Sequence, residues 1–316
     1  KRWLGVLFAA VLIVTYMGGF NMVAAFNISD SFRRYDFYQP GTTPLVIGLI
    51  LAVIFGICIF GGSKRISKIT EVIVPVMGIF YIAVSLFIVI THLNLLPGVI
   101  VSIFKGAFDI SAIFGGFAGS AVMQGVKRGL FSNEAGMGST PHAHAMAKVK
   151  TPHEQGVVAM IGVFIDTFLV LTMTALVVIS TLYTPGGILA QGYTEEVAQT
   201  INKTNLAQTA FGTVFGTQAG AMFVAVCLFF FAFSTVLSWN MFGKINIIYL
   251  FGKKAAPVYS VIALVFIFLG TLMSNDLVWE LTDMFNNLMV IPNAIALFAL
   301  SGVVVKICHM SKKAAK

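Results

Sequence analysis

The chain has 316 residues, of which 58% are hydrophobic and 10% are charged, and its formal net charge is +8. A soluble domain carries roughly 25% charged residues, and no soluble fold of this size buries so much apolar surface, whereas a lipid bilayer is itself an apolar solvent. The composition therefore predicts an all-α, multi-pass membrane protein. The Lys and Arg residues lie in short runs between apolar segments, so membrane topology explains the positive charge and we exclude nucleic acid as a partner.

Eight apolar segments each approach the ~20 residues that a helix needs to cross the hydrocarbon. They are residues 3–26, 44–62, 71–91, 112–131, 156–182, 217–250, 257–274 and 278–306. The segment 217–250 is too long for one crossing, so we expect its end, from Gly243 to Gly252, to lie at the membrane interface.

The distribution of Lys and Arg predicts the orientation. If Lys1 is cytoplasmic, fourteen of these residues fall on the cytoplasmic side and four on the opposite side. Because cytoplasmic loops are enriched in Lys and Arg, we predict a protein of the plasma (inner) membrane with both chain ends in the cytoplasm. The loop 184–208 is then external, and we expect a short helix in it to cap the external face.

The fourth apolar segment runs without a clear exit into residues 125–141 (GVKRGLFSNEAGMGSTP). Irregular backbone at membrane depth is tolerated only where protein or a water-filled cavity surrounds it. We therefore predict a broken membrane helix at 132–139, whose free carbonyls coordinate Na⁺ and whose second half-helix attracts a carboxylate with its positive end. The spacing leaves open an ordinary cytoplasmic loop that follows a plain span.

Three residues within the break are candidates for substrate binding. Gly136 and Gly138 let a ligand approach the backbone closely, since glycine has no side chain. Met137 between them offers a soft, compact wall for a small side chain.

Charged residues near the break are candidates for coupling or gating. A charge inside the membrane costs at least ~2.5 kcal/mol on insertion scales, so it usually has a partner or a function. Arg128 with Glu134 is one possible ion pair beside the break, where Lys127 also lies. Asp166 is placed more deeply by sequence, and it is expected to pair with Arg128, to assist cation binding or to relay protons.

Residues 231–240 (FAFSTVLSWN) add hydroxyl groups to the predicted site. With Ser132 at the break, Ser234 and Thr235 are candidate Na⁺ ligands. Thr235 and Trp239 are four residues apart and share a helix face, so a hydroxyl beside an aromatic wall suits a small zwitterion. Bonding of these hydroxyls to their own helix backbone is the competing interpretation.

Several other polar residues carry weaker signals. Asn21 is a further candidate for substrate binding, either lining a pathway or joining helices, and for the pair 286–287 we favour helix packing. His142 and His144 are two apart and do not share a helix face, so zinc is not favoured. No phosphate-binding loop and no hydrolase or metalloprotease motif occurs, and we expect no enzyme and no cofactor, with Na⁺ only as a coupling ion.

The chain resembles the alanine or glycine:cation symporter family, also called the sodium:alanine symporters. The residues that carry the resemblance are 60–62 with 64–66, 128–139 (RGLFSNEAGMGS) with 141, 142 and 144, 155–156, 162–167 (GVFIDT), 172–176 (TMTAL), 233–235 (FST) with 239, 249–252 (YLFG), 291–293 (IPN) and 301–304 (SGVV). This likeness covers nearly the whole chain, and the run through the break is highly specific.

The resemblance implies a leucine-transporter-like inverted-repeat fold and uptake of alanine, glycine or a similar small amino acid with Na⁺ or H⁺. It implies that Thr235, Trp239 and residues 136–138 contact the substrate, with Ser234 and Thr235 near a cation. An inverted five-plus-five arrangement needs five spans before the break where three are seen. We therefore expect an N-terminally truncated chain that lacks the first broken helix, with 1–110 as the remainder of the first repeat, 111–306 as the second and 307–316 as a cytoplasmic tail.

Two other functions are weighed against a symporter. A channel or pore needs rings of like groups from symmetric subunits, whereas the chain has one asymmetric break and no repeated filter loop. An intramembrane enzyme would use His142, His144 or Asp166 as catalytic groups.

Overall fold

The protein is built of helices joined by turns, with no strand, in the part that its computed structural model describes, residues 2–108, 118–192, 194, 197, 200–202 and 204–314. The described helices are α1 (Arg2–Val14), α2 (Asn21–Asp30), α3 (Thr43–Phe60), α4 (Ser63–Thr91), α5 (Leu96–Phe108), α6 (Ala118–Ser132), α7 (Pro141–His144), α8 (Pro152–Phe164), α9 (Leu171–Leu182), α10 (Leu206–Phe215), α11 (Thr217–Phe251), α12 (Ala256–Gly270) and α13 (Asn275–Ala314). A π-helical turn, Thr15–Phe20, joins α1 to α2, and a second, Ile165–Val170, joins α8 to α9.

Seven helical stretches of the described chain are long and apolar enough to cross a membrane. They are Arg2–Asp30, Thr43–Phe60, Lys68–Thr91, Pro152–Leu182, Thr217–Phe251, Lys253–Gly270 and Asn275–Met310. They coincide with seven of the eight predicted spans, which confirms an all-α, multi-pass membrane protein.

The fourth predicted span, 112–131, has a different outcome. Residues 109–117 lie outside the described part, and so does the predicted boundary between the two repeats at residue 111. The described part of this span is α6, which has 15 residues. The count of eight spans and the inverted-repeat fold therefore stay predictions. The hydropathy pattern did not predict α5, because this apolar helix of 13 residues is shorter than a membrane crossing.

The length of α11 agrees with the expectation for residues 217–250. It is one continuous helix of 35 residues, or ~52 Å at ~1.5 Å per residue, whereas the hydrocarbon is only ~30 Å thick. It ends at Gly252, whose φ of 80° is favoured only for glycine.

The core lies where the first helix, α1 to α2, crosses α11. Tyr16 and Phe20 are fully buried in the first π-turn, and Trp239 of α11 packs on both rings. The outer helices instead present large apolar side chains outward, as Phe298 of α13 does. This is the arrangement expected when lipid is the surrounding solvent.

Glycines bring α12 into close contact with its neighbours. A side chain added at Gly270 would lie 2.5 Å from Cα of Met22 in α2. The helix α3 contributes Gly48, where an added Cβ would lie 2.5 Å from Oγ1 of Thr271 and 3.1 Å from Cδ2 of Phe268. Lipid provides little hydrophobic drive for helix association, so close backbone packing through small residues takes its place.

Candidate functional site

The predicted interruption after α6 is present. The helix ends at Ser132, irregular turns follow, and only the four-residue helix α7 intervenes before α8 begins at Pro152. Within these turns Glu134 reaches Tyr16, which lies about 14 residues, or ~20 Å, inside the first membrane helix. This places the interruption at membrane depth and disfavours a loop beyond the end of a plain span.

The expected role of the backbone in the break is not seen. The second half-helix is a single turn, Pro141–His144, and one turn aligns too few peptide dipoles to attract a carboxylate. Two carbonyls expected to be free for Na⁺, those of Ala135 and Gly136, accept hydrogen bonds from Nδ2 of Asn293 at 2.9 and 2.8 Å. The described geometry therefore gives no support to a dipole-bound carboxylate, which stays a prediction, and both carbonyls already accept a hydrogen bond from protein.

The carboxylate of Glu134 is the polar centre of the break. It accepts a hydrogen bond from Oη of Tyr16 at 3.0 Å and further ones from Oγ of Ser139 and Nε1 of Trp239. The indole of Trp239 stacks on Tyr16 with ring centroids 5.6 Å apart. The indole N–H can only donate, whereas the hydroxyls of Tyr16 and Ser139 can donate or accept, so these three contacts fix the position of the carboxyl group.

His142 links the break to α11 through hydrogen bonds of both its ring nitrogens. Its Nδ1 donates to the Ser139 carbonyl at 2.8 Å, and its Nε2 accepts from the Asn246 amide at 2.8 Å. These partners assign the neutral tautomer with the proton on Nδ1. His144 instead bonds to Gln155. No group of three or more His, Cys, Asp or Glu residues suited to a metal occurs in the described chain.

Arg128 pairs with Asp283 of α13, and neither Glu134 nor Asp166 is its partner. Its guanidinium makes two contacts with that carboxylate, at 2.9 and 3.1 Å. Lys127 lies 3.5 Å from the same carboxylate. The ion pairs proposed from sequence are therefore wrong, because the tertiary structure brings a different acid to the end of α6.

Asp166 lies in the second π-turn and connects it to the end of α6. Oγ of Ser132 donates to its carboxylate at 2.8 Å, and Oγ1 of Thr167 donates at 3.3 Å. Nδ2 of Asn133 donates to Thr167 at 3.2 Å. Single π-helical turns occur frequently at functional sites, because they release backbone groups and redirect side chains.

A cavity of about 840 Å³ lies between α4, the break, the second π-turn and α11. Its polar lining includes five of the predicted site residues, together with one further hydroxyl: Ser132, Glu134, Asp166, Ser234, Thr235 and Ser238. The rest of the wall is mostly apolar, with Val74 and Phe231 among its side chains. The cavity is open on one side and offers carboxyl and hydroxyl oxygens between mostly apolar walls, which suits a small polar solute or a hard cation.

Two of these hydroxyls also bond to their own helix, as the competing interpretation expected. Ser234 donates to the Phe231 carbonyl at 3.0 Å, and Ser238 donates to the Ser234 carbonyl at 3.1 Å. A hydroxyl that donates keeps its lone pairs, so both oxygens stay available as acceptors toward the cavity.

The predicted residues 136–138 lie on the core side of the break. Met137 is fully buried in the same apolar cluster as Tyr16 and Trp239. A side chain added at Gly136 would lie 2.8 Å from Cα of Leu130, and Gly138 faces Asn293. The space in front of both glycines is therefore filled by protein, and contact of these residues with a substrate stays a prediction.

Two further substrate candidates are also buried. Trp239 is 5% exposed and faces Tyr16, whereas Thr235, four residues earlier, faces the cavity. Asn21 is fully buried, with Nδ2 bonded to the Met17 carbonyl at 3.4 Å and Oδ1 without a partner. Of the amide pair assigned to helix packing, Asn286 is buried within α13, and its neighbour at 287 is exposed.

The comparison with known proteins agrees with the resemblance seen in the sequence. The chain matches the sodium:alanine symporter family over residues 1–316. It belongs to this family. It is 39% identical over 303 residues to the sodium/alanine symporter AgcS of Methanococcus maripaludis, covering 96% of the chain and 63% of that protein. It is 38% identical over 307 residues to the probable sodium/glutamine symporter GlnT of Bacillus subtilis, covering 96% of the chain and 60% of that protein.

This member of the sodium:alanine symporter family thus spans about three-fifths of the length of those relatives. Membership of a transporter family confirms that the protein is not an enzyme. The expectation of further spans before Lys1 stays a prediction.

Two residues that organise the break were given no role in the site from the sequence. Asp283 is an isolated acid in an apolar segment, which is the signal by which it could have been found. Asn293 follows Pro292 inside a helix, and a proline there marks a local interruption of the hydrogen-bond ladder.

Proposed function

We propose that the protein takes up a small neutral amino acid, alanine or glycine, together with Na⁺ by alternating access, in a leucine-transporter-like fold. Family membership and the names of the relatives support Na⁺-coupled transport of an amino acid. The relatives' names include both alanine and glutamine, so the assignment to the smallest amino acids rests on the sequence resemblance. H⁺ is the alternative coupling ion.

The main support for this proposal is the cavity between α4, the break, the second π-turn and α11. It brings together oxygen atoms from distant parts of the chain. Ser132 and Asp166 are joined by a hydrogen bond of 2.8 Å, and Ser234 and Thr235 line the same cavity from α11. Na⁺ is a hard cation that prefers oxygen ligands. We place the cation among these four side chains, with Asp166 as the source of negative charge.

We place the substrate beside Glu134, which is one of the residues that line the same cavity. A zwitterionic amino acid presents an ammonium group that a carboxylate attracts. Residues 136–138, Trp239 and Asn21 lie behind Glu134 in the core, so we propose that they contact substrate only when this core opens.

The orientation proposed from Lys and Arg has support in the packing. Lys244 donates to the Ile59 carbonyl at 2.9 Å, near the end of α3, and the basic run 64–68 follows directly. Two groups predicted to be cytoplasmic therefore lie on one side of the molecule. We propose a plasma-membrane location with this side, and both chain ends, in the cytoplasm.

Uptake by the purified full-length protein in proteoliposomes tests the proposal. We expect saturable L-alanine uptake that requires an inward Na⁺ gradient, and that falls strongly in Asp166→Asn. The matched control Asp276→Asn, at an exposed acid in the first turn of α13, should leave uptake unchanged. Uptake indifferent to both Na⁺ and pH would refute the coupling.

Counterflow separates a carrier from a channel or pore. A carrier preloaded with unlabelled alanine should transiently accumulate labelled alanine, whereas a pore only equilibrates it. Absence of counterflow in vesicles that show uptake would favour the pore.

A further inference from the structure

Asn293 of α13 holds the backbone of the break at a point next to Glu134. Its side-chain Nδ2 donates to the Ala135 carbonyl at 2.9 Å and to the Gly136 carbonyl at 2.8 Å. An amide group has two N–H bonds, so both donors of Asn293 are used on these consecutive carbonyls.

Gly138 is shaped to receive this side chain. Its φ is +82°, and a Cβ built there would lie 2.5 Å from Cγ of Asn293. Only glycine combines this backbone conformation with the absence of a side chain. The space in front of Gly138 is therefore occupied by Asn293, and the two residues form a complementary pair.

Glu134 adopts a backbone conformation that needs such support. Its φ is 58°, and within the described chain it is the one residue other than glycine with a positive φ. L-residues disfavour this region, and they remain there only where surrounding contacts impose it. Tyr16 and Trp239 hold the Glu134 carboxylate from one side, and Asn293 holds the following peptide groups from the other.

The same helix also holds the segment before the break. Asp283 pairs with Arg128 in the last turns of α6, ten residues before Asn293 and so ~15 Å away along α13. The helix α13 therefore contacts both the end of α6, which precedes the interruption, and the turn at residues 135–136 within it. A shift of α13 relative to α6 would move the peptide next to Glu134.

We propose that Asn293 is a positioning residue for Glu134: it fixes the turn at residues 135–136 so that Glu134 lines the cavity while its carboxylate stays bonded to Tyr16 and Trp239. This inference rests on the proposed function where it concerns transport. Its geometric part concerns Asn293 and Gly138 alone, and it can be tested without a substrate.

A thermal-unfolding cycle on the full-length protein in detergent tests the pair. Gly138→Ala should lower the unfolding temperature, because the added methyl group collides with Asn293. In the Asn293→Ala background the same substitution should lower it less, because the collisions with Oδ1 and, at 2.5 Å, with Cγ are gone, while the 2.9 Å approach to Cβ and the backbone strain at positive φ remain. Equal effects of Gly138→Ala in both backgrounds would overturn the pairing, whether or not the protein transports alanine.

Uptake kinetics test the positioning role, with rates normalised to folded protein at a temperature below unfolding. Asn293→Ala should lower the turnover number divided by KM about tenfold, as expected for the loss of two hydrogen bonds. Asn293→Asp should be worse, since it places an anion against two carbonyl oxygens. Asn287→Ala, at an exposed amide of the same helix, should behave as the parent.

The decisive comparison uses Glu134→Gln. If Asn293 acts through Glu134, then Asn293→Ala should add little to the uptake defect of Glu134→Gln. A merely structural role would lower uptake by the same factor in both backgrounds, and that result would overturn the proposal. Normal uptake by Asn293→Ala would overturn it as well.

Discussion

The ion pair between Arg128 of α6 and Asp283 of α13 can be tested by a double-mutant cycle. The two single substitutions should destabilise the protein by unequal amounts. Asp283 is approached by two cations, by Arg128 through two contacts of 2.9 and 3.1 Å and by Lys127 at 3.5 Å. Removing the acid therefore leaves two positive charges without their partner. Removing the arginine leaves the acid with Lys127 beside it. We predict that Asp283→Leu destabilises the protein more than Arg128→Met does.

The exposure of these side chains determines the size of the effect. Asp283 is 18% exposed and Arg128 is 36% exposed. Breaking a buried pair by removing one partner costs about 3–5 kcal/mol, whereas exposed pairs contribute about 0.2–1 kcal/mol. For this intermediate exposure we expect Asp283→Leu to cost about 2 kcal/mol and Arg128→Met about 1 kcal/mol. Arg128 also lies 4.7 Å above the Trp279 ring, a packing contact that methionine partly keeps.

Equilibrium unfolding by SDS in mixed micelles measures these free energies. The double variant should cost less than the sum of the two single variants, because both remove the same interaction. Asp276→Leu is the matched control, since this exposed acid on α13 has no ion-pair partner within the described chain. An additive cycle, or a larger loss for Arg128→Met than for Asp283→Leu, would refute the reasoning.

Two further predictions concern the cavity and the helix packing. Thr235→Ala should raise the Na⁺ concentration for half-maximal uptake about tenfold through loss of one oxygen ligand. The control His153→Ala, in the first turn of α8, should change this concentration little. The opposite pattern would contradict the placement of the site. Gly270→Ala should cost about 2 kcal/mol or more in the SDS titration, because its methyl group would meet the Met22 backbone at 2.5 Å. The control is Gly302→Ala, where an added Cβ has nothing within 4 Å in the described structure, and it should be neutral or stabilising. Equal losses of unfolding free energy in the two variants would show that α12 does not pack as described.

The local order of residues was enough to predict the class of protein and the place of the interruption. Apolar stretches of membrane-crossing length admit one interpretation, because only a bilayer accommodates them. The run 132–139 also stands out, since glycines and polar side chains after an apolar helix cannot continue it. Chemistry made Ser132, Asp166 and Thr235 candidates, and the structure places all three on one cavity.

The partners of the charged and buried groups could not be predicted in this way. Arg128 has Glu134 six residues away in sequence, yet its partner is Asp283, 155 residues away. The glycines suggested space for a ligand, whereas the fold fills the space at Gly138 with Asn293.

By itself, then, the sequence determined that this is a membrane protein interrupted at 132–139, because hydropathy and backbone-breaking residues act locally along the chain. Only the tertiary structure decided which side of the interruption faces a cavity and which faces the core. That decision depends on which elements meet the break: α4, the second π-turn and one face of α11 line the cavity, whereas the first helix, Trp239 of α11 and α13 fill the core side. Pairing in a packed interior follows the geometry of helix packing, which spacing along the chain does not encode.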